Sequence, residues 1–298
     1  MEQNTNISAD TFVIGGDLPV RRIGFGAMRL AQGTFGGPVR PAADGLAVLR
    51  RAVELGVNHI DTADFYGTPE IRANDQIFQA LAPYPDGLVI ATKVGPLRDE
   101  QGQLGNEGTP EQLRGLVERN LRDLGLERLD LVYLRVGGMG PIGGTSIGER
   151  FQALADLRKE GLIRHLGVSN VDLAQFEEAL AIAPVVAVQN HFNVQHQGDA
   201  DLLQRCTDLG IAFVPFFPIG GGFQPLDAPA VAQVAARHGA TPAQIAQAWL
   251  LSTSPNLLLI PGTGSQKHLE ENVAAGELTL TNEDIATLTA GARAGAEA

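Results

Sequence analysis

Three side chains that could move a proton stand close together in the first third of the sequence. Asp61 and Tyr66 lie five residues apart within residues 58–67, and Lys93 stands near the end of the apolar run at residues 88–94. A tyrosine hydroxyl has an ordinary pKa of about 10, too high for efficient proton donation at neutral pH. A neighbouring ammonium lowers that pKa, and a carboxylate offsets the cost of burying the ammonium. We therefore expect a proton-donating relay aimed at a developing alkoxide.

Each member of this set also has an ordinary structural explanation. Asp61 could cap the loop at Thr62, Tyr66 could be an aromatic residue of a turn, and Lys93 could pair with a surface acid. The catalytic interpretation depends on whether the fold brings the three side chains to one place.

Short apolar stretches alternate with amphipathic helical patterns along the chain, and several of these helices end at a glycine, a common C-cap. Thr109 and Thr241 each precede a proline and have a glutamine three residues later, which predicts two helix starts. The predicted strands are residues 23–26, 57–61, 88–94, 129–134, 163–168, 185–188, 211–217 and 257–260. Eight strand–helix units predict an α/β fold, a (β/α)8 barrel, with an N-terminal β-hairpin at residues 11–20.

The competing architecture is a doubly wound sheet that binds a dinucleotide. Its fingerprint needs a third glycine and a helix after Gly24 and Gly26, and the sequence has neither. We therefore predict one barrel domain over residues 1–298, with a C-terminal helical extension at residues 276–298. Three long loops, at residues 28–41, 95–109 and 137–146, follow strands and would crowd one rim of the barrel.

In a barrel, the carboxyl ends of the strands form the face that carries the active site. Asp61, Lys93 and Arg135 end predicted strands two, three and four, and Tyr66 follows in the loop after Asp61. All four side chains are therefore expected at one mouth.

Composition and charge exclude several classes of protein. A net charge of −12 disfavours nucleic acid and anionic membrane as partners, since both need basic patches. The single cysteine, Cys206, excludes a disulfide framework and is expected in the core. A polar N-terminus and the absence of any apolar run of about 18–20 residues predict a soluble, cytoplasmic protein. His59 is expected to be a satisfied core histidine, and we predict no metal site because the histidines lack ligand spacing.

The stretch at residues 58–67 resembles the signature of the aldo-keto reductase family, and residues 90–93 resemble its second signature. Further matching motifs follow in the family's order at residues 166–170, 188–190, 260–263 and 268–272. The resemblance implies a (β/α)8 oxidoreductase that transfers a hydride from NADPH, or less favourably NADH, to a small aldehyde or ketone. Tyr66 would then be the general acid, Lys93 the partner that sets its pKa, and Asp61 the orienting carboxylate.

The resemblance also assigns cofactor contacts. Ser169, Asn170 and Gln189 would hold the nicotinamide carboxamide, and Phe216 would stack on the ring. The segment at residues 217–220 would line the pyrophosphate path, and residues near the last motif would hold the 2′-phosphate and the adenine. The full set is Gly26, Ala27, Met28, Asp61, Ser169, Asn170, Gln189, Phe216, Phe217, Pro218, Ile219, Gly220, Gly262, Thr263, Gly264, Ser265, His268, Glu271 and Asn272.

Two positions depart from the family pattern. Arg135 stands where the family usually has a histidine, and a guanidinium can only donate hydrogen bonds and positive charge. It would stabilise the alkoxide or clamp an anionic or phenolic group of the substrate, unless it forms a salt bridge to a nearby acid. His268, beside Lys267, stands where many relatives carry an arginine for the 2′-phosphate.

Residues 134–136 and 213–218 resemble the bacterial pyridoxal reductase-like branch, which makes pyridoxal a candidate substrate. Two alternatives stay open at this point. The chain could be a non-catalytic, NADPH-binding regulatory subunit of the same fold, or a barrel aldolase that uses Lys93 to form a Schiff base. We expect a monomer or a small homo-oligomer.

Overall fold

The computed structural model describes residues 10–30, 41–68, 71–98, 104–138, 142–220 and 228–296. The three long predicted loops therefore fall only partly inside the described residues. No helix in these ranges is both long and apolar enough to span a membrane.

The described residues form eleven strands, numbered in chain order. They are β1 (Thr11–Ile14), β2 (Leu18–Arg21), β3 (Phe25–Gly26), β4 (His59–Asp61), β5 (Val89–Val94), β6 (Pro96–Arg98), β7 (Leu104–Glu107), β8 (Leu129–Arg135), β9 (Ile163–Ser169), β10 (Val185–Gln189) and β11 (Ala212–Phe213). Seven of these strands form a parallel sheet in the order β11, β10, β9, β8, β5, β4, β3, as expected for consecutive strand–helix units. Two antiparallel pairs stand outside it, β1 with β2 and β6 with β7.

The sheet closes through the eighth predicted strand. Residues 257–260 make single parallel bridges on both sides, Leu257 with Phe213 of β11 and Leu259 with Ile23 just before β3. Closure removes both sheet edges, and the result is the predicted (β/α)8 barrel. The eighth stretch is joined by isolated bridges, and β11 is shorter than the predicted run at residues 211–217.

Ten α-helices lie within the described residues. The predicted starts are confirmed, because Thr109 and Thr241 each form a capping box with the glutamine three residues later. The predicted glycine ends at Gly125 and Gly210 adopt left-handed conformations, with φ of 63° and 68°. The helices are α1 (Ala42–Glu54), α2 (Ala73–Leu81), α3 (Pro110–Leu124), α4 (Gly148–Lys159), α5 (Leu173–Ile182), α6 (Ala200–Leu209), α7 (Pro229–His238), α8 (Pro242–Thr253), α9 (Gln266–Ala274) and α10 (Asn282–Ala296).

Two buried apolar layers follow from the alternation of side chains along the strands. One layer fills the space between strands and helices, and the other fills the barrel interior. The predicted N-terminal hairpin, β1 with β2, contributes Ile14, Leu18 and Val20 to the interior layer. Asp17 at its turn accepts from His165 of β9 at 2.6 Å. The hairpin therefore closes the amino end of the barrel and leaves the chemistry to the carboxyl end.

A second hairpin, β6 with β7, occupies part of the stretch that the sequence predicts as a loop at residues 95–109. Its position is set by contacts with other parts of the chain. Arg98 donates through Nη2 to the Phe65 carbonyl at 2.5 Å, and Glu107 accepts from the Gly137 amide at 2.6 Å. Such contacts are invisible to local pattern, because their partners are distant in sequence.

Candidate active site

The strand register brings the predicted catalytic side chains to one rim. Asp61 ends β4 beside Gly26 of β3, and Arg135 ends β8 beside Ser169 of β9. Lys93, one residue before the end of β5, lies between these strands. Parallel strands end at a common edge, so three separate sequence motifs converge here.

Lys93 is the centre of the cluster. Its Nζ donates to Asp61 Oδ1 at 2.5 Å, to the Thr62 carbonyl at 2.8 Å and to Tyr66 Oη at 3.1 Å. These three acceptors match the three protons of an ammonium. The side chains of Lys93 and Asp61 are both only 2 % exposed, so the pair is shielded from water. The structure therefore brings Asp61, Tyr66 and Lys93 together.

The charge state of the cluster differs in one respect from the sequence expectation. Burial raises the pKa of Tyr66 above its ordinary value, although Lys93 and Arg135 act in the opposite direction. The expected net lowering of this pKa is wrong, because removal of the phenol from water outweighs the ammonium. The resting phenol therefore keeps its proton at neutral pH.

Burial alone would lower the pKa of Lys93, but Asp61 and Tyr66 outweigh that effect and leave this pKa raised. A raised pKa keeps the lysine charged. A charged lysine is a poor nucleophile, so the structure disfavours the Schiff-base aldolase alternative.

The second carboxylate oxygen of Asp61 accepts a hydrogen bond from a buried glutamine. Gln189 Nε2 donates to Asp61 Oδ2 at 2.8 Å, and Gln189 is fully buried.

His59, two residues before Asp61, is also fully buried, and burial lowers the pKa of its imidazole to about 4. Neither ring nitrogen of His59 has a partner among the described residues, so the expectation of a satisfied core histidine is wrong.

Arg135 lies at the opening of the same cluster. Its Nη2 donates to the Gly138 carbonyl at 2.7 Å, and its Nη1 makes a longer contact with Ser169 Oγ at 3.4 Å. The guanidinium carbon stands 4.8 Å from the centre of the Phe216 ring. Burial lowers the pKa of Arg135 to about 10, so the group stays cationic at neutral pH. A fixed positive charge therefore faces the mouth beside Tyr66.

An aromatic column extends behind Phe216. The His191 ring is nearly parallel to Phe216, at 5.5 Å between centroids and 9° between planes, and His196 stacks on His191 at 4.3 Å. Burial, His196 and Arg135 together lower the pKa of His191 to about 4. His191 is therefore a neutral packing partner of Phe216. The sequence gives no signal for this role beyond its position two residues after Gln189.

The other predicted cofactor residues lie on neighbouring stretches of the same rim. Gly26 and Gly262 approach so closely that a Cβ on either would come within 2.5 Å of a backbone oxygen. Asn170 and Phe217 adopt left-handed conformations with φ of 61° and 56°, a strain that clusters at functional sites. Ala27 is buried in a 3₁₀ turn at Ala27–Arg29, and Met28 beside it is half-buried. The segment at residues 217–220 follows Phe216 directly.

The residues around α9 fit a phosphorylated adenosine. Ser265 caps this helix by accepting from the His268 amide at 3.4 Å, and Lys267 and His268 are exposed in its first turn. A helix N-terminus with basic side chains suits a phosphate. Asn272 is buried and accepts from Gln247 at 2.9 Å, while its Nδ2 has no hydrogen-bond partner within the described part of the chain. Thr263 and Gly264 directly precede the start of this helix, and Glu271 lies in its second turn.

Within the described ranges, no group of three or more acidic, histidine or cysteine side chains is arranged to hold a metal ion. Cys206 is buried, and burial raises the pKa of its thiol to about 12. It is the core residue that the sequence predicts.

Comparison with known proteins agrees with this geometry. The model of the aldo/keto reductase family matches residues 22–292, which is most of the chain. The chain belongs to the aldo/keto reductase family. It is therefore an oxidoreductase that acts on alcohol and carbonyl groups, and the resemblance drawn from its motifs is confirmed.

One similar relative is pyridoxine 4-dehydrogenase of Escherichia coli, which is 47% identical over 95% of this chain and 98% of that protein. A thermostable aldo-keto reductase solved with the inhibitor epalrestat is 28% identical, with a TM-score of 0.78 over 94% of this chain and 99% of its own. An aldo/keto reductase from Klebsiella pneumoniae, solved with NADP and acetate, is 26% identical, with a TM-score of 0.76 over 94% of each chain.

Proposed function

We propose that the protein reduces pyridoxal to pyridoxine with NADPH, with Tyr66 as the proton donor. The observation that carries this proposal is the contact of Lys93 Nζ with both Asp61 and Tyr66 Oη, in which the Lys93–Asp61 pair is shielded from water. The substrate rests on the similarity to pyridoxine 4-dehydrogenase and on the cationic Arg135 at the mouth.

Proton donation follows from the charges around the phenol. Because burial raises the pKa of Tyr66, the phenol is fully protonated when the aldehyde enters. As negative charge grows on the carbonyl oxygen, the proton moves from Tyr66 Oη to that oxygen, and the phenolate forms 3.1 Å from Lys93 Nζ. The ammonium stabilises this charge only as it develops, which is the form of stabilisation that lowers a barrier.

Asp61 keeps the ammonium in place during that transfer. It accepts from Lys93 on one oxygen and from Gln189 on the other, so the carboxylate cannot rotate towards the phenol. Without it, burial would favour a neutral lysine, which attracts a phenolate far less.

Arg135 would act on the substrate from the mouth of the site. Pyridoxal carries a hydroxyl beside its aldehyde on the aromatic ring, and this hydroxyl ionises readily. A guanidinium forms strong charge-assisted hydrogen bonds to such an oxygen. Arg135 would therefore orient the aldehyde towards Tyr66.

A bound NADPH would supply the hydride to the aldehyde carbon. Ser169 and Asn170 would hold the carboxamide end and Phe216 would face the ring, while Lys267 and His268 at the start of α9 would meet the 2′-phosphate. Preference for NADPH over NADH rests on these two basic residues. A Lys267→Ala, His268→Ala double variant should lose affinity for NADPH and keep its affinity for NADH.

A substrate panel tests the whole proposal. Pyridoxal, benzaldehyde and an aliphatic aldehyde should be offered with NADPH and with NADH, while nicotinamide absorbance and product are followed. We expect the highest kcat/KM for pyridoxal with NADPH. Comparable values for pyridoxal and benzaldehyde would contradict the substrate assignment. Tight NADPH binding without turnover of any aldehyde would support the regulatory-subunit alternative.

A further inference from the structure

A buried hydrogen-bond network lies behind the proton-donating cluster, on the outer face of the same strands. Asn120 of α3 stands at its centre, with Thr62, Thr92 and Asn74 around it, and all four side chains are 0–1 % exposed. Buried amides and hydroxyls are costly unless they are hydrogen-bonded, and satisfied networks of this kind fix a single arrangement.

The contacts of Asn120 use both ends of its amide. Its Oδ1 accepts from Thr92 Oγ1 at 2.7 Å and from Asn74 Nδ2 at 2.9 Å. Its Nδ2 donates to the Leu116 carbonyl at 2.8 Å and to Asp64 Oδ1 at 3.3 Å. Thr62 joins through Asn74, to which its hydroxyl donates at 2.8 Å. The amide orientation is fixed by the carbonyl of Leu116, which can only accept.

The partners of this network are the sequence neighbours of the proton-donating cluster. Thr92 directly precedes Lys93, and Thr62 directly follows Asp61. Asp64 lies two residues before Tyr66, and its amide donates to the Lys93 carbonyl at 2.9 Å. The side chain of Asn120 is therefore linked to a residue adjacent to or near each member of the proton-donating cluster.

Asp64 is itself held firmly. Arg119, the residue before Asn120, donates to both carboxylate oxygens of Asp64. Arg72 donates to the backbone carbonyl of Asp64 at 3.0 Å. The carboxylate is 2 % exposed, so its position is fixed by charge-assisted bonds in a water-poor setting. The turn that carries Tyr66 is thereby tied to α3.

We propose that Asn120 is a positioning residue for proton transfer, acting through Thr92, Asn74 and Asp64 to hold Lys93 at hydrogen-bond distance from Tyr66. The inference rests on the proposed function, because it concerns the proton transfer from Tyr66. Asn120 itself makes no contact with the substrate in this proposal. Misplacement of a reacting group by about 1 Å can cost about 100-fold in rate. Loss of the network should therefore lower kcat while cofactor binding stays intact.

Two disruptive variants, one conservative variant and one control separate positioning from mere stability. Thr92→Val removes the hydroxyl at nearly constant volume, and Thr92→Ser retains it. Asn120→Leu removes the centre. The matched control is Asn256→Leu at the amino end of the eighth stretch, where a buried asparagine donates to the Cys206 and Ile211 carbonyls, each at 3.2 Å. All variants are measured on the full chain with pyridoxal, NADPH binding and thermal unfolding.

We expect Thr92→Val and Asn120→Leu to lower kcat by about 10- to 100-fold with an unchanged Kd for NADPH. Thr92→Ser should recover most of the rate. Asn256→Leu should lower the unfolding temperature and keep kcat. The basic limb of the kcat profile should move to higher pH in Thr92→Val, because a more distant Lys93 no longer opposes the burial that raises the pKa of Tyr66.

A second readout does not depend on turnover. The phenol of Tyr66 is titrated by ultraviolet absorbance, as the difference between each protein and the same protein carrying Tyr66→Phe. We expect a higher pKa for Tyr66 in the Thr92→Val background. Wild-type kcat and phenol titration in both network variants would overturn the inference. An inactive wild type would instead refute the proposed function.

Discussion

Arg135 gives the sharpest prediction about substrate choice. Its contact with Ser169 Oγ is long, at 3.4 Å, and so lies at the weak end of hydrogen bonding. A substrate oxygen could replace that contact at little cost. A hydrogen bond to a charged group contributes about 1.5–3 kcal/mol. At about 1.4 kcal/mol for each tenfold change, Arg135→Met should lower kcat/KM for pyridoxal by about 10- to 150-fold.

The assay compares two aldehydes. Benzaldehyde lacks the ring hydroxyl, so its kcat/KM should fall much less in Arg135→Met, and the preference for pyridoxal should shrink. Arg158→Met is a suitable control. Arg158 lies on α4, outside the cluster, and donates to the Arg164 carbonyl of β9 at 2.9 Å. An equal loss for both aldehydes would refute the clamp and assign Arg135 to the alkoxide that both reactions share.

Two further changes test the electrostatics of the fold. Asp61→Asn removes the carboxylate that offsets the burial of the Lys93 ammonium, so Lys93 must either stay charged without its partner or lose its proton. Either cost should lower the free energy of unfolding near neutral pH, by about 3–5 kcal/mol for an unpaired buried charge; an unchanged urea midpoint would show that Asp61 does not stabilise a buried ammonium. Hydrogen bonds from His238 and Thr281 lower the pKa of Asp284 to about 2, and burial acts in the opposite direction. This carboxylate stabilises the fold above its unfolded pKa of 3.8, so the stability gap between wild type and Asp284→Asn should close between pH 3.8 and about 2. A gap that persists at pH 2 would contradict that assignment.

The sequence predicts the barrel well because its evidence is local. Capping residues such as Thr109 and left-handed glycines such as Gly125 mark helix ends directly. Short apolar runs mark the parallel strands, which are buried on both faces. The β6–β7 hairpin was missed because its partners, Phe65 and Gly137, are far away in sequence.

The site was predictable as a set of positions and less so as an electrostatic environment. Strand ends are enough to bring Asp61, Tyr66 and Lys93 to one rim. The raised pKa of Tyr66 depends on its burial by the folded barrel, which no short motif encodes. The Asn120 network lay outside the prediction for a similar reason, since an asparagine within a helical pattern gives no sign of what it contacts.

The cofactor contacts remain predictions drawn from the sequence motifs. Two features of the structure are consistent with a bound cofactor, the backbone conformations near the site and the start of α9. Asn170 and Phe217 have the strained backbone of a functional site, and α9 offers a helix N-terminus beside Lys267 and His268. Gln189 is fully buried and donates to Asp61, so the structure links it to the carboxylate.

The central claim is that Tyr66 gives the proton that completes carbonyl reduction. The direct measurement is single-turnover reduction of pyridoxal by wild type and by Tyr66→Phe, each loaded with NADPH, together with the Kd for NADPH. We predict that the rate falls by about 10²–10⁴-fold while the Kd is unchanged. A Tyr66→Phe protein that reduces pyridoxal at the wild-type rate would contradict the claim.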